Sequence, residues 1–319
     1  MRILTTEELA DIPRPKWLIE DFIAEKATTM IYGPWGLGKS FMALDMALTA
    51  TTGGDWNGRK IDRPLKIMFI VAEGAAWWYR RLLAYERERG AVDREMIVWI
   101  PEPVDLYNQG NAELKWLEEQ LEIHDPDVLF IDTWVRCSAA YGMNENDATS
   151  TAMAYKNLDM LRDRHDVTPV IIHHPTKSGV FRGSGNQGAS VERIISLEEV
   201  DGFKGFKVVD EKGNHTESFE DFRMQFQTVD LSDLSEDLTS AVVEYEGLAP
   251  SGDGQGYDMK LFLAASPVMS DLGFTTKQFK DMAVIANGSV SNALKSLVLK
   301  GLLAQPIPRG PYYLTGDTK

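Results

Sequence analysis

The clearest chemical signal in the sequence is a glycine-rich segment that ends in lysine and serine. Residues 33–40 read Gly-Pro-Trp-Gly-Leu-Gly-Lys-Ser and fit the pattern G-x-x-x-x-G-K-[ST], between an apolar run and a helical pattern. Glycines let backbone N–H groups turn inward around phosphates, and the following helix adds its positive end. The segment predicts a nucleotide site in which Lys39 bridges the β- and γ-phosphates and Ser40 ligates Mg²⁺. The predicted nucleotide contacts are Gly33, Pro34, Trp35, Gly36, Leu37, Gly38, Lys39, Ser40 and Phe41.

Two acidic residues follow apolar runs and are candidates to complete this site. Asp132 ends the run Asp-Val-Leu-Phe-Ile-Asp, the form of a Walker B segment, in which the acid holds Mg²⁺ through water. Glu73 follows the run 67–72, and an acid at such a strand end can orient and deprotonate an attacking water. Taken alone, Glu73 is equally well explained as an acid at a helix N-terminus.

A pair of histidines, His173 and His174, follows the next apolar run. A polar residue at this strand tip lies within reach of the γ-phosphate and can report its loss. Adjacent residues of a strand point to opposite faces, so at most one of the two faces the nucleotide. Metal binding by the pair is disfavoured because no cysteine or acidic cluster accompanies it.

The elements that must position these residues follow from the alternation of short apolar runs with longer helical patterns. This alternation predicts an α/β fold with a mainly parallel central sheet and helices on both faces. Residues 203–245 read instead as hairpins that extend one edge of the sheet. The predicted strands are 28–32, 67–72, 97–100, 128–131, 170–173 and 194–197, and the predicted helices are 40–51, 75–89, 112–123 and 148–164.

Composition narrows the class of protein. The 319 residues carry a net charge of −15, which argues against a surface that coats nucleic acid. Residues 258–319 nevertheless carry +3, so any contact with duplex DNA is expected there. With a single cysteine, Cys137, there is no internal disulfide, and its thiol is better explained as buried than as a nucleophile. No apolar run is long enough for a membrane helix and no signal peptide is evident, so we expect a cytoplasmic protein without a membrane partner.

The chain is predicted to fall into two domains. Residues 1–246 would form the nucleotide-binding domain, and the glycine-rich stretch 247–257 a flexible linker. Residues 258–319 show a capped helix, a turn, a second helix and a short hairpin, which resembles a winged helix-turn-helix. Such a fold presents its second helix to DNA, here through Asn292 and Lys295, or serves as a protein-interaction or ring-packing module.

The order of these motifs resembles the RecA-like hexameric helicases of the plasmid RepA type, which include phage and prophage replication ATPases. The resemblance covers about residues 13–230 and extends beyond the phosphate loop. It is carried by Pro15-Lys16-Trp17-Leu18-Ile19, Ala72-Glu73-Gly74, Arg80-Arg81-Leu82, Asp132-Thr133, Asn144-Glu145-Asn146-Asp147, His173-His174 and Arg182-Gly183-Ser184.

This resemblance implies roles for individual residues. Glu73 would be the catalytic base, and His174 the sensor that links the nucleotide to a DNA-contacting loop. A neighbouring subunit of a ring, a hexamer by resemblance, would supply an arginine to the γ-phosphate, with Arg193 favoured slightly over Arg182. The loop 176–188 would face the ring channel and grip single-stranded DNA through Lys177, unless it is only a surface loop.

Three functions remain open at this point. The first is an ATP- and Mg²⁺-dependent helicase or translocase on single-stranded DNA in plasmid, phage or prophage replication. The second is an ATP-dependent DNA-binding regulator, in which the C-terminal domain selects a duplex site or a replication protein. The third, a small-molecule kinase, is disfavoured because no lid with paired arginines is evident.

Overall fold

The computed structural model describes residues 5–10, 16–108, 110–139, 141, 147–174, 190–213, 218–235, 238–249, 294, 303–304 and 311–314. The chain divides into two compact units, Met1–Ala249 and Pro250–Lys319. The described helices of the first unit are α1 (Thr6–Ala10), α2 (Lys39–Thr52), α3 (Trp78–Arg89), α4 (Ala112–His124), α5 (Trp134–Ala139) and α6 (Ala148–His165). Its described strands are β1 (Trp17–Ile19), β2 (Ile23–Ala24), β3 (Thr29–Tyr32), β4 (Gly54–Trp56), β5 (Arg59–Ile61), β6 (Ile67–Val71), β7 (Ile97–Ile100), β8 (Val128–Asp132), β9 (Thr168–His173), β10 (Arg193–Glu199), β11 (Gly205–Gly213), β12 (Phe222–Asp230) and β13 (Thr239–Leu248).

A nine-stranded sheet organises this unit, in the order β13-β12-β11-β10-β3-β9-β8-β6-β7. The strands from β10 to β7 pair in parallel, and β11, β12 and β13 add antiparallel strands at one edge. The parallel core and the antiparallel extension both match the sequence-based prediction. Parallel strands end at one edge, so the residues that follow β3, β6, β8 and β9 are brought together there.

The central strands are apolar throughout because both faces of the sheet are covered. Phe69 and Phe130 stack with ring centroids 4.9 Å apart on the face that packs α2 and α3. Met68 and Leu129 point to the opposite face, which packs α4 and α6. Burial on two faces explains why these strands read as continuous apolar runs.

The predicted linker begins too early. Gly247 and Leu248 belong to β13, paired with Arg223 and Phe222 of β12. The register shifts beside Gly247, whose φ of +134° is readily adopted only by glycine, so the residue that suggested a linker supports a bulge instead. Residues 250–257 lie outside the described part of the chain.

Several short elements were not predicted. The hairpins β1–β2 and β4–β5 and the six-residue helix α5 are too short to show a clear periodicity. A 3₁₀ turn, Ala75–Trp77, leads into α3 and occupies the first part of the helix predicted at 75–89. Among the described residues, no helix is both long and apolar enough to cross a membrane.

In the second unit, the described residues include a small antiparallel pair. β14 (Leu303–Ala304) pairs with β15 (Tyr313–Leu314), as the predicted hairpin requires. Leu294 is helical and fully buried, in keeping with its place on the apolar face of the predicted second helix. The rest of the proposed winged helix-turn-helix, including Asn292 and Lys295, lies outside the described residues and stays a prediction.

Candidate functional site

The phosphate loop connects β3 to α2 and is shaped by close packing beneath it. Gly38, the residue before α2, has a φ of +110°. A Cβ at this position would lie 2.6 Å from the ring of Phe206 and 2.7 Å from that of Phe226. Glycine is therefore required both by backbone conformation and by space, independently of any ligand.

Lys39 is folded back over the loop that precedes it. Its Nζ donates hydrogen bonds to the carbonyl oxygens of Gly33 and Pro34, both at 2.7 Å. The side chain is buried, and burial lowers the pKa of Lys39 to about 8, while the nearby Asp132 acts in the opposite direction. The loop thus encloses an ammonium group for which the phosphates of a nucleotide would be the natural counter-charge.

Asp132, at the end of β8, is buried next to the start of α2. Burial raises the pKa of Asp132 to about 6, and a hydrogen bond from Ser40 opposes that rise. Its Oδ2 is buried and has no hydrogen-bond partner among the described residues. A hydroxyl and a carboxylate with a free oxygen are the ligand types that Mg²⁺ prefers, so these residues fit the ion.

The described residues contain no cluster of three or more His, Cys, Asp or Glu side chains that could hold a metal by itself. Remaining Mg²⁺ ligands would therefore come from phosphate oxygens and water, as is usual for this ion in nucleotide sites.

Glu73 follows β6 and lies at the same edge of the sheet as Asp132. Its carboxylate accepts two hydrogen bonds from the guanidinium of Arg136 on α5. Nε of Arg136 lies 3.2 Å from Oε2, and Nη2 lies 3.3 Å from Oε1. Both side chains are exposed, and the carboxylate raises the pKa of Arg136. Sequence reasoning did not identify Arg136, because α5 was not predicted.

The loop and the strand ends enclose one pocket of 370 Å³. Its described walls are Trp35, Gly36, Gly38, Lys39, Ser40, Phe41, Glu73, Gly74, Trp77, Trp78, Arg81, Asp132, Thr133 and His174. The predicted metal ligands, the predicted base and the predicted sensor are therefore brought together. Arg81 was noted in the sequence only beside Arg80. Because Trp78 and Leu82 are buried, the helical spacing indicates that Arg81 lies on the inner side of α3.

His174 contacts the phosphate loop directly. Its ring stacks on Trp35 with centroids 3.9 Å apart and planes 4° from parallel. His173 belongs to β9, is buried, and is not part of the pocket wall, so the two histidines differ in environment as their alternation requires.

Arg193 does not fit the role that was favoured for it. It lies at the start of β10, is 3% exposed, and forms an ion pair with Asp210 at 2.5 Å. Its guanidinium also lies over the rings of Phe219 and Trp17, at 5.0 and 5.7 Å from their centroids. Supplying this guanidinium to a neighbouring subunit would require breaking the buried ion pair and leaving Asp210 without its partner, so the structure favours Arg193 less than the sequence does.

The other candidates lie elsewhere. Arg182 and Lys177 fall in 175–189, outside the described residues. Cys137 is fully buried, and burial raises its pKa to about 12, which agrees with the expectation of an inert thiol.

Comparison with known proteins gives one family and two similar structures. The family described as AAA domain matches residues 2–180, more than half of the chain. A comparison with curated proteins finds no significant match. The chain is similar to a crystal structure of a KaiC-like protein from the hyperthermophilic archaeon Pyrococcus horikoshii OT3, with 16% identity, 72% of this chain and 99% of that one covered, and a TM-score of 0.46. It is also similar to a crystal structure of the RadB recombinase, with 14% identity, 64% of this chain and 88% of that one covered, and a TM-score of 0.47.

The family match and the observed sheet agree with the RecA-like α/β fold expected from the sequence. That prediction is confirmed for the mostly parallel sheet with its phosphate loop.

Proposed function

The chain belongs to the AAA domain family, and from this premise we propose that it is an ATP-driven helicase or translocase acting on single-stranded DNA in plasmid, phage or prophage replication. The observation that supports ATP hydrolysis is the convergence of Lys39, Ser40, Glu73 and Asp132 on one pocket. The DNA-directed part rests on the order of motifs, which resembles the plasmid RepA type.

Each residue of the pocket has a distinct task in this proposal. When a nucleotide binds, the ammonium group of Lys39 gives up its hydrogen bonds to the carbonyl oxygens of Gly33 and Pro34 and donates to phosphate oxygens instead. Backbone N–H groups of the loop hold the β-phosphate. Ser40 would ligate Mg²⁺ and Asp132 would hold the ion through water, and the bound ion would neutralise charge on the phosphates. Glu73 accepts a proton from the attacking water after turning away from Arg136.

His174 is proposed as the sensor of the terminal phosphate. Its ring is stacked on Trp35 of the phosphate loop, and the chain continues directly into 175–189, which holds Lys177. A shift of the phosphate loop upon loss of the γ-phosphate would therefore act on the chain two residues before the proposed DNA-contacting loop, 176–188.

Catalysis across a subunit interface remains part of the proposal, with a changed residue. Arg193 forms a buried ion pair with Asp210. We therefore assign to Arg182 the role of the arginine that a neighbouring subunit supplies to the γ-phosphate. The assembly proposed is a homo-oligomeric ring, a hexamer by resemblance.

A second function, an ATP-dependent DNA-binding regulator, is favoured by one observation in the C-terminal unit. The β14–β15 pair supplies the hairpin that a winged helix requires, in a segment with a charge of +3. In this alternative the nucleotide controls assembly, and the C-terminal domain selects a duplex site.

ATP turnover with and without single-stranded DNA tests the proposal. A helicase or translocase predicts a severalfold increase in turnover, and Lys39→Ala serves as the inactive control. If single-stranded DNA leaves the rate of ATP turnover unchanged, the helicase proposal is excluded. Sequence-specific duplex binding that disappears on deleting residues 258–319 would then establish the regulator.

A further inference from the structure

Two uncovered apolar surfaces lie on opposite faces of the central sheet. Trp77, Tyr79 and Leu234 are 55%, 60% and 54% exposed on the side of α3, whereas Trp116 and Ile123 are 42% and 69% exposed on α4. The helices α3 and α4 pack against different faces of the sheet, so the two surfaces point away from each other. Soluble proteins rarely expose clustered apolar side chains of this size without a binding partner.

The first surface, which we call the α3 groove, runs between α3 and the segment from β12 to β13. Its volume is 510 Å³, and its described walls are Ala76, Trp77, Tyr79, Arg80, Leu83, Leu234 and Leu238. The guanidinium carbon of Arg80 lies 4.5 Å from the ring centroid of Trp77. No carboxylate of the described part of the chain lies within 4.0 Å of Arg80. The α3 groove is therefore apolar and carries an unpaired positive charge.

The second surface, which we call the α4 face, is the outward side of that helix. Trp116, Glu119 and Ile123 are spaced three and four residues apart, so they share one side of α4, and all three are exposed. Within the described residues, no cation lies within 4.0 Å of the carboxylate of Glu119. The exposed Glu122 adds a negative charge and Lys115 a positive one, which leaves the α4 face with a net negative charge.

The two surfaces agree in length and in charge. Trp116 and Ile123 are two helical turns apart, about 10 Å along α4, and the α3 groove extends over a similar length from Trp77 to Leu83. A helix that places side chains at positions i and i+7 in an apolar groove is a common mode of recognition. Glu119 lies between these two side chains, where it can meet a cation of the groove. Because the surfaces occupy opposite faces of one sheet, this contact requires a second copy of the chain.

We propose that the α3 groove of one copy binds the α4 face of a second copy, with Arg80 paired to Glu119 of the partner subunit. The two surfaces differ, so the contact is head-to-tail and repeats from copy to copy, as in a ring. Trp77 lines both the groove and the nucleotide pocket, which places the partner subunit beside the mouth of that pocket. This inference names the contact of the homo-oligomer proposed above and rests on that proposal.

Sedimentation equilibrium of the full chain, with a non-hydrolysable ATP analogue and Mg²⁺, tests this contact over a range of concentrations. Tyr79→Ser and Ile123→Ser each remove an exposed apolar side chain from one surface and are expected to weaken assembly about 10-fold or more. Leu248→Ser is the matched control, because Leu248 is 56% exposed outside both surfaces, and its assembly should match the wild type.

Reversal of charge tests the proposed ion pair separately from folding. Arg80→Glu and Glu119→Arg should each weaken assembly, because like charges then face each other across the contact. The chain that carries both changes should recover part of the lost assembly, which a merely structural role of either residue does not predict.

The outcomes distinguish this contact from the assembly on which it rests. A wild-type chain that stays monomeric at every concentration overturns both. If the wild type assembles and Tyr79→Ser and Ile123→Ser assemble equally well, only the proposed contact is overturned. Loss of assembly in Tyr79→Ser alone, with no effect of Ile123→Ser and no recovery in the double charge reversal, overturns it too, because the groove then binds another part of the partner subunit.

Discussion

Lys39 and Glu73 line the same pocket, but we expect their replacement to impair different steps, nucleotide binding for Lys39 and turnover for Glu73. Lys39→Ala removes the ammonium group that the loop encloses, so nucleotide affinity should fall at least about 10-fold. Glu73→Gln keeps the shape of the side chain but removes the proton acceptor, so turnover should fall by about 10²-fold or more with affinity retained.

Binding and turnover measured on the same preparations decide between these outcomes. Equal loss of nucleotide binding in Lys39→Ala and Glu73→Gln would show that Glu73 supports the site rather than acting as the base.

Asp45 makes the stability of the nucleotide-binding unit depend on pH. It is buried in α2, accepts a hydrogen bond from Trp56 and pairs with Arg89, while Glu244 adds a like charge. Burial raises its pKa from 3.8 to about 6. The folded state therefore holds this proton more tightly than the unfolded state, and stability falls as the pH rises from about 4 through 6, by about 3 kcal/mol.

Urea denaturation of the wild type and of Asp45→Asn between pH 4 and 7 measures this effect. The stability of Asp45→Asn should not decrease over this pH range, because asparagine still accepts the hydrogen bond from Trp56 but does not ionise. Asp233→Asn is a control in which the pH dependence of stability has the opposite sign. Arg87 lowers the pKa of Asp233 at the surface, so ionised Asp233 favours the folded state. Parallel curves for the wild type and Asp45→Asn would contradict the assignment.

The strands of the central sheet could be predicted from the sequence, because a strand that is buried on both faces is a continuous run of apolar residues. The strand ends followed from the same runs, which is why Asp132, Glu73 and His174 were identified before their positions were known. Arg136 was not, because a six-residue helix has no measurable periodicity. The burial of Arg193 depends on Asp210, a partner on another strand, and no local pattern indicates such a pair.

Gly38 lies at the junction of the phosphate loop and α2, where there is no room for a side chain. Gly38→Ala introduces a Cβ 2.6 Å from the buried ring of Phe206 and also strains a positive φ. Gly58→Ala has a similar sign of φ, +80°, but no atom within 4 Å of the new Cβ. Overpacking should make Gly38→Ala less stable than Gly58→Ala by about 1–3 kcal/mol.

Chemical denaturation and nucleotide titration of both variants check this expectation. Only Gly38→Ala should also lose nucleotide affinity, because the ring of Phe206 must move beneath the loop. Equal stability of the two variants would mean that the loop can shift freely above the sheet.

The assembly proposed for the whole molecule is a homo-oligomeric ring. Native mass determination with ATP and Mg²⁺ should show a hexamer, and mixing Arg182→Ala with Lys39→Ala subunits should restore part of the lost turnover. Recovery is expected because an intact arginine from one subunit can serve an intact loop of its neighbour. A monomer under all nucleotide conditions would rule out catalysis across an interface.

The eight residues from Gly33 to Ser40 are proposed to bind a nucleoside triphosphate whose Mg²⁺ is held with the help of Asp132. A crystal structure with a non-hydrolysable ATP analogue and Mg²⁺ tests this most directly. We predict phosphates against the backbone amides of the loop and Mg²⁺ between Ser40 and Asp132. An empty loop, or an analogue bound far from Asp132, would contradict the account.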